Sequence, residues 1–275
     1  MKDTRGSTLP TYLSSALHAV QRGWLPLFVF ALLIVAWETA ARLSLVDPMM
    51  LPAPSDIGAN FIDGFRSGIY LQHLEVTLIQ ALSGFGLACL VGIGVGSISS
   101  FSERFSRALR PILIAIEATP KIALAPLIIV WFGYGIGSKI VLATIIAFFP
   151  VFIGTVAGLR AADPGRLDVL RALGAGRGQI FRLVALPGAL PHIFAGVNVA
   201  VVFALLGTIV GEFMGSKEGL GTLILYANGN LDTARVFSIL MVLAATGLLL
   251  HGLIGGLRRR LLFWDASQCN AYATP

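Results

Sequence analysis

Charge is scarce in this chain of 275 residues: 12% are Asp, Glu, Lys or Arg, against 56% hydrophobic. A soluble domain averages about 25% charged residues, so the deficit excludes an ordinary water-soluble fold and predicts an all-α, polytopic membrane protein. Cysteine is nearly absent. Cys89 and Cys269 stand far apart, which leaves neither a disulfide framework nor a thiolate metal site. The four histidines, His18, His73, His192 and His251, do not pair at metal-ligand spacing. No G-x-x-x-x-G-K-[ST], H-E-x-x-H or G-x-S-x-G occurs, so a phosphate-cradling loop, a zinc-protease helix and a nucleophile elbow are all missing. No catalytic residue, metal site or bound cofactor is therefore expected. The net charge of +6 does not point to nucleic acid, because the arginines fall in short clusters between apolar runs.

What is abundant is hydrophobic length. A membrane-spanning helix needs about 20 mostly apolar residues, and six such stretches are legible: 24–41, 77–100, 111–132, 139–159, 189–213 and 236–257. The first follows Lys2 and Arg5 as a signal peptide would, but it starts late and no small-residue cleavage site follows. An uncleaved span is expected. If the N-terminus lies inside, fourteen Lys and Arg fall in cytoplasmic segments and five in external ones. That asymmetry predicts both termini in the cytoplasm of a multi-pass cell-membrane protein. Three segments are expected: a cytoplasmic stretch 1–23, a transmembrane domain 24–263 and a cytoplasmic tail 264–275.

The largest internal cytoplasmic segment is unusual. Arg160, Arg166, Arg171, Arg177 and Arg182 fall in and beside 163–187, which cannot lie in hydrocarbon. Asp163 can cap a helix whose first residue is Pro164. Gly174 stands where that helix would stop, and Pro187 is expected to end a second short one. A folded two-helix loop in a chain with little else outside the membrane reads as a docking surface.

Elsewhere the chain offers few polar groups. The third span contains Glu117 and Lys121, four apart in the favourable order for a helical pair, with Pro120 between them and Pro126 beyond. A bent or interrupted helix is expected there. The pair either neutralises itself at the kink or lines a substrate path, as broken helices commonly do. Glu38 and Glu212 near span ends are expected to reach water. Trp131, Phe132 and Tyr134 match an interfacial aromatic belt. Gly84, Gly86, Gly92, Gly94 and Gly96 predict close helix packing. The GIGVG run among them has no preceding strand and is no nucleotide fingerprint. In 42–76, Ser55 or Asp56 could cap a short helix whose apolar face is Ile57, Phe61 and Phe65. That helix lies at the membrane interface or contacts an external partner. Residues 211–230 are too apolar for a linker and too short for a span, and are expected to fold back on the external mouth of the bundle.

The 163–187 loop resembles the EAA loop of binding-protein-dependent ABC transporter permeases, E-A-A-x3-G-x9-I-x-L-P. Asp168, Val169 and Leu170 occupy the first triplet, Gly174 the glycine, Val184 the isoleucine, and Leu186 and Pro187 the closing pair. Only acidic character survives in the triplet. LPAPSD at 51–56, PLIIVWFGYG at 126–135, FFPVF at 148–152 and GEFMGSKEGLG at 211–221 also look like permeases for sulfonates, nitrate, taurine, bicarbonate and thiamine precursors.

The resemblance implies a type I importer transmembrane fold with a core at about 72–260 and a coupling loop at 160–188. In that loop Leu167, Leu170 and Leu173 would form the apolar face of the first helix, with Arg166 and Arg171 more exposed. It implies two copies of an ATPase subunit that uses the ATP, an external or periplasmic solute-binding protein, and a second permease copy as a homodimer in the lipid. Larger side chains in the altered triplet imply a roomier docking groove. The substrate would be a small organic or inorganic anion or a thiamine-precursor-like compound. Glu117, Lys121, Pro120 and Pro126 are the candidates for the translocation path. The rival reading is an ion-coupled secondary transporter or channel, disfavoured by the lack of an internal repeat and of intramembrane acid chains.

Overall fold

A computed structural model describes residues 11–264. The first ten residues of the 1–23 segment, nearly all of the 264–275 tail and Cys269 lie outside the described residues. The chain forms helices α1 (Thr11–Arg42), α2 (Pro54–Arg66), α3 (Ile69–Phe101) and α4 (Glu103–Ala118), then a 3-10 turn at Lys121–Leu124. Next come α5 (Ala125–Phe132), α6 (Ile136–Arg160), α7 (Pro164–Ala172) and α8 (Arg177–Ile180), followed by a π turn at Phe181–Ala185. Helices α9 (Leu186–Phe213), α10 (Leu220–Gly229) and α11 (Thr233–Leu261) complete it. Helices suit a membrane because each satisfies its own backbone hydrogen bonds.

Among the described residues four helical stretches are long and apolar enough to cross: 69–100, 136–160, 177–213 and 233–261. They contain the expected spans 77–100, 139–159, 189–213 and 236–257. The 32-residue α1 contains 24–41. The third expected span does not form one helix. It divides into α4 and α5 around an interruption at Thr119–Pro120.

The centre of the bundle is α6, packed between α3 and α9, with Ala88, Ala143, Ala147, Val151, Ala189, Ala200 and Ala204 buried there. In lipid no hydrophobic force drives helices together, so close van der Waals contact must do so, and small residues permit it. Side chains added at Gly84, Gly92 and Gly96 of α3 would meet Ala143, Val151 and Thr155 of α6 within 2.5–2.9 Å. Gly86 and Gly94 face open space, so the expected packing role holds for three of the five. The α6–α9 seam is tighter. A Cβ at Gly158 would lie 2.6 Å from Ala189 O, one at Gly154 2.7 Å from His192 O, and one at Gly196 would overlap Pro150 O.

Contacts sort the connections to two ends of the bundle. Arg160 Nη2 donates to Ser106 Oγ at 2.8 Å, so the α3–α4 junction lies beside the 163–187 loop. At the other end Thr233 Oγ1 donates to Met49 O at 2.6 Å and Lys139 Nζ to Gly215 O at 2.9 Å.

Helix α2 departs from expectation twice. Its apolar face does not lie on lipid: Ile57 is buried, and Phe61 and Phe65 pack beside Tyr70 with Leu220 and Ile239. Neither Ser55 nor Asp56 caps it, since the helix starts at Pro54 after Ala53. Instead the Ser55 N–H donates to Glu38 Oε2 at 3.0 Å, and Arg42 bridges Glu38 and Asp56. A carboxylate from α1 thus fills the place of a side-chain cap.

Helix α10 ends in a Schellman turn, with the Asp232 N–H on Ala227 O at 2.9 Å and Leu231 at φ +57°. A left-handed leucine costs about 1–2 kcal/mol that glycine avoids, partly offset by the freedom glycine adds to the unfolded chain. Leu231→Gly is therefore expected to leave the thermal midpoint in detergent unchanged or slightly raised. A fall of several degrees would show that the exposed leucine side chain is needed.

Candidate functional site

The 163–187 loop is built as its residues dictate at the start and differently at the end. Asp163 Oδ1 accepts from the Gly165 N–H at 2.9 Å, capping α7, whose first residue is Pro164. The helix stops in a Schellman turn: the Ala175 N–H donates to Leu170 O at 2.9 Å, and Gly174 sits at φ +76°. Only glycine enters that region without strain.

Pro187 does not end a second short helix. Arg177–Phe213 runs as one 37-residue stretch with Pro187 in the first turn of α9. Proline cannot donate to the carbonyl four residues back, and the backbone widens into the π turn, where the Leu186 N–H reaches Phe181 O.

Within the loop Asp168 pairs with Arg171 at 3.0 Å, both exposed. Leu167, Leu170, Val184, Leu186 and Pro187 are half-buried. Leu173 is not part of an inward face with Leu167 and Leu170. It is 77% exposed, as is Val169 at 60%, one turn earlier. The spacing i, i+4 puts Val169 and Leu173 on one outward side, and Leu183 is exposed too.

The break in the third segment also has a clear cause. Pro120 removes a donor and forces Thr119 out of helical conformation, to ψ 130°. Pro126, in the first turn of α5, starts a helix and breaks nothing. The expected Glu117–Lys121 pair is not made. The i, i+4 geometry needs a continuous helix, and the interruption turns Lys121 onto the face of Phe149, 4.2 Å from the ring centroid. Glu117 is exposed.

A third constellation escaped the sequence reading. Glu212 does not reach water: it is 0% exposed. Its carboxylate accepts from Thr77 Oγ1 at 2.8 Å and from the Gly221 N–H at 2.7 Å. Thr77 Oγ1 in turn accepts from the Leu220 N–H at 2.9 Å, and the Gly219 N–H donates to His73 Nδ1 at 3.0 Å. Lys139, also buried, donates to Tyr134 O at 2.6 Å and Gly215 O at 2.9 Å. Four segments (α3, the start of α6, the end of α9 and the start of α10) are therefore held by one polar network far from the loop. Buried charges of this kind persist only when hydrogen-bonded. The available signal was the pair of ionisable residues at the ends of apolar runs, together with closely spaced Gly215, Gly219 and Gly221. Residues 211–230 do fold back, with α10 packed against α3, α9 and α11.

A helical bundle with apolar crossings, one broken half-span and a capped arginine loop defines a membrane-embedded transport subunit. Residues 84–263 match the family described as binding-protein-dependent transport system inner membrane component. The chain belongs to that family and is an ABC importer permease. It is 38% identical over 265 residues to the riboflavin transport system permease protein RibX of Chloroflexus aurantiacus, covering 94% of this chain and 99% of that one. It is 33% identical to the formylaminopyrimidine transport permease protein ThiX of Halalkalibacterium halodurans, covering 88% and 96%. It is 35% identical to the putative aliphatic sulfonates permease SsuC of Bacillus subtilis, covering 89% of each. Among solved structures, the inward-facing MetNI methionine ABC transporter shares the fold, with TM-score 0.62 and 20% identity over 71% of this chain and 97% of that one. Membership in this family decides against the secondary-transporter and channel readings.

Proposed function

We propose that this chain moves a small solute, delivered by an external binding protein, through a homodimer of itself. Two separate ATPase subunits drive it through the 163–187 loop. The chain holds no ATP site and no cofactor of its own, and the ATP is used by the partner. The observation behind this reading is the loop's outward apolar pair, Val169 and Leu173, on a capped helix flanked by arginines. Exposed aliphatic side chains outside the apolar crossings are poorly placed against water alone and well placed to enter a groove on a soluble partner. Asp168, Leu170, Arg171, Gly174, Val184, Leu186 and Pro187 form or support that handle.

Arginine distribution supports the orientation. Arg104, Arg107, Arg166, Arg171, Arg258, Arg259 and Arg260 occupy the end of the bundle that bears the loop, and the positive end faces the cytoplasm. Both termini then lie inside, and α2 and α10 outside. Glu117, Lys121, Pro120 and Pro126 lie at the break that would line the path. ATP binding would close the ATPase pair, move the loops and reopen the bundle outward. The substrate is a small anion of the sulfonate, nitrate or taurine kind, or a thiamine-precursor-like compound.

Purification in mild detergent, with neighbouring genes co-expressed, tests this. An ATPase subunit is expected to copurify, and Leu173→Asp is expected to reduce its recovery at least about tenfold, because a carboxylate is costly in an apolar groove. Failure of the unaltered chain to retain an ATPase would overturn the reading.

A further inference from the structure

Two lysines are at least partly buried in this bundle, and their surroundings differ. Lys139 is enclosed, with Nζ bonded to two carbonyl oxygens. Lys121 is only half-buried, and no carboxylate among the described residues pairs with it. Its recorded partner is the face of Phe149. A ring face replaces only a small part of the hydration an ammonium gives up at this depth. It also leaves the three N–H donors largely free. Lys139 is thus a structural cation, and Lys121 is a cation with unused capacity.

Its position is equally specific. The 3-10 turn and α5 that follow the break are too short to cross a hydrocarbon layer of about 30 Å. The break therefore lies inside the layer, level with Phe149 in the middle of α6. Pro120, Ile122 and Ala123 beside it are exposed, so this part of the chain faces away from the bundle. Phe148 stacks on Phe152, with centroids 5.6 Å apart and planes at 21°, and meets Phe149 edge to face. The ammonium stands at mid-depth over the buried Phe149 ring, which itself meets Phe148.

We infer that Lys121 is a contact for the anionic group of the transported solute, which makes the solute class a small organic anion bearing a sulfonate, carboxylate or phosphate. This rests on the permease reading proposed above. A single ammonium with one weak aromatic partner suits a path, where a solute must be favoured enough to enter and loose enough to leave. Glu117, four residues earlier, is exposed and makes no ion pair with Lys121, so it does not cancel the charge at short range.

Charge-selective thiol labelling tests this without knowing the solute. Ala123→Cys is introduced with Cys89→Ala and Cys269→Ser, and the protein is expressed in membranes with its ATPase. Modification rates by methanethiosulfonate ethylsulfonate and by its trimethylammonium counterpart are compared, each normalised to a free thiol. With Lys121 present, the anionic reagent is expected to be favoured by about tenfold or more, the scale of one unit charge a few ångströms away. Lys121→Gln should abolish that preference and Lys121→Arg should retain it. A preference unchanged by Lys121→Gln, or an Ala123→Cys thiol that no aqueous reagent reaches, overturns the inference. Copurification of the ATPase in the same preparation separates this failure from failure of the permease reading. If the ATPase is retained without charge preference, only the Lys121 assignment falls.

Discussion

Gly219→Ala is expected to lower the thermal midpoint of the detergent-solubilised protein by about 10 °C. Two costs combine. At φ +119° and ψ 158°, Gly219 occupies a region that is essentially closed to side chains, worth about 1–3 kcal/mol. An added Cβ would also overlap the Glu212 carboxyl group, and overpacking costs about 1–3 kcal/mol more. Glu212 cannot swing aside freely, because Thr77 and the Gly221 N–H hold both of its oxygens. Yielding to the methyl would strand those donors in a buried site. A double-mutant cycle separates the terms. In a Glu212→Ala background the overlap disappears and only the backbone cost should remain, so Gly219→Ala should cost roughly half as much there. An unshifted midpoint for the single variant would mean that the polar network does not hold α10 in place.

Gly174→Val is expected to act in the opposite way, sparing stability and abolishing coupling. Nothing lies within 4 Å of the position a Cβ would take, so volume is not at stake. The strain is in the backbone: φ +76° is open to glycine and, at small cost, to asparagine, but strongly disfavours a β-branched residue. About 1–2 kcal/mol cannot unfold a bundle of this size, yet it depopulates the turn about tenfold and redirects the Val169–Leu173 side. The variant should insert normally, while stimulation of ATP hydrolysis by the binding protein falls to the basal rate in the reconstituted complex. Gly174→Asn should keep most of that stimulation. Equal behaviour of the two variants would remove the left-handed turn from the coupling argument.

These two glycines mark what was legible in sequence and what was not. Asp163, Pro164 and Gly174 act through local backbone chemistry, so the start and turn of the loop could be read directly. Pro187 is just as local in chemistry but ambiguous in outcome. Proline can end a helix or occupy its first turn, and the strong apolar run after it decided for continuation. Pro120 and Pro126 repeat the lesson six residues apart, since one interrupts and the other begins a helix. Thr77 meets Glu212 and His73 meets Gly219 across more than 130 residues of sequence, and Lys139 meets Gly215 across 76, so these groups were out of reach. Nothing in their spacing says that one threonine hydroxyl will serve both a carboxylate and a helix start. The Lys121–Phe149 contact was hidden for a related reason: the i, i+4 rule assumed the very helix that Pro120 interrupts.

Where α6 meets α9, carbonyl oxygens of one helix lie where the other would place side chains, at Gly154, Gly158 and Gly196. Such a joint has almost no removable volume. In a soluble core the damaging replacements are usually deletions of methyl groups, and here they can only be additions. A saturation scan at these three positions should therefore be lopsided, tolerant of glycine alone, and trimming a facing side chain should not rescue an added methyl, because the atoms it meets are backbone carbonyls.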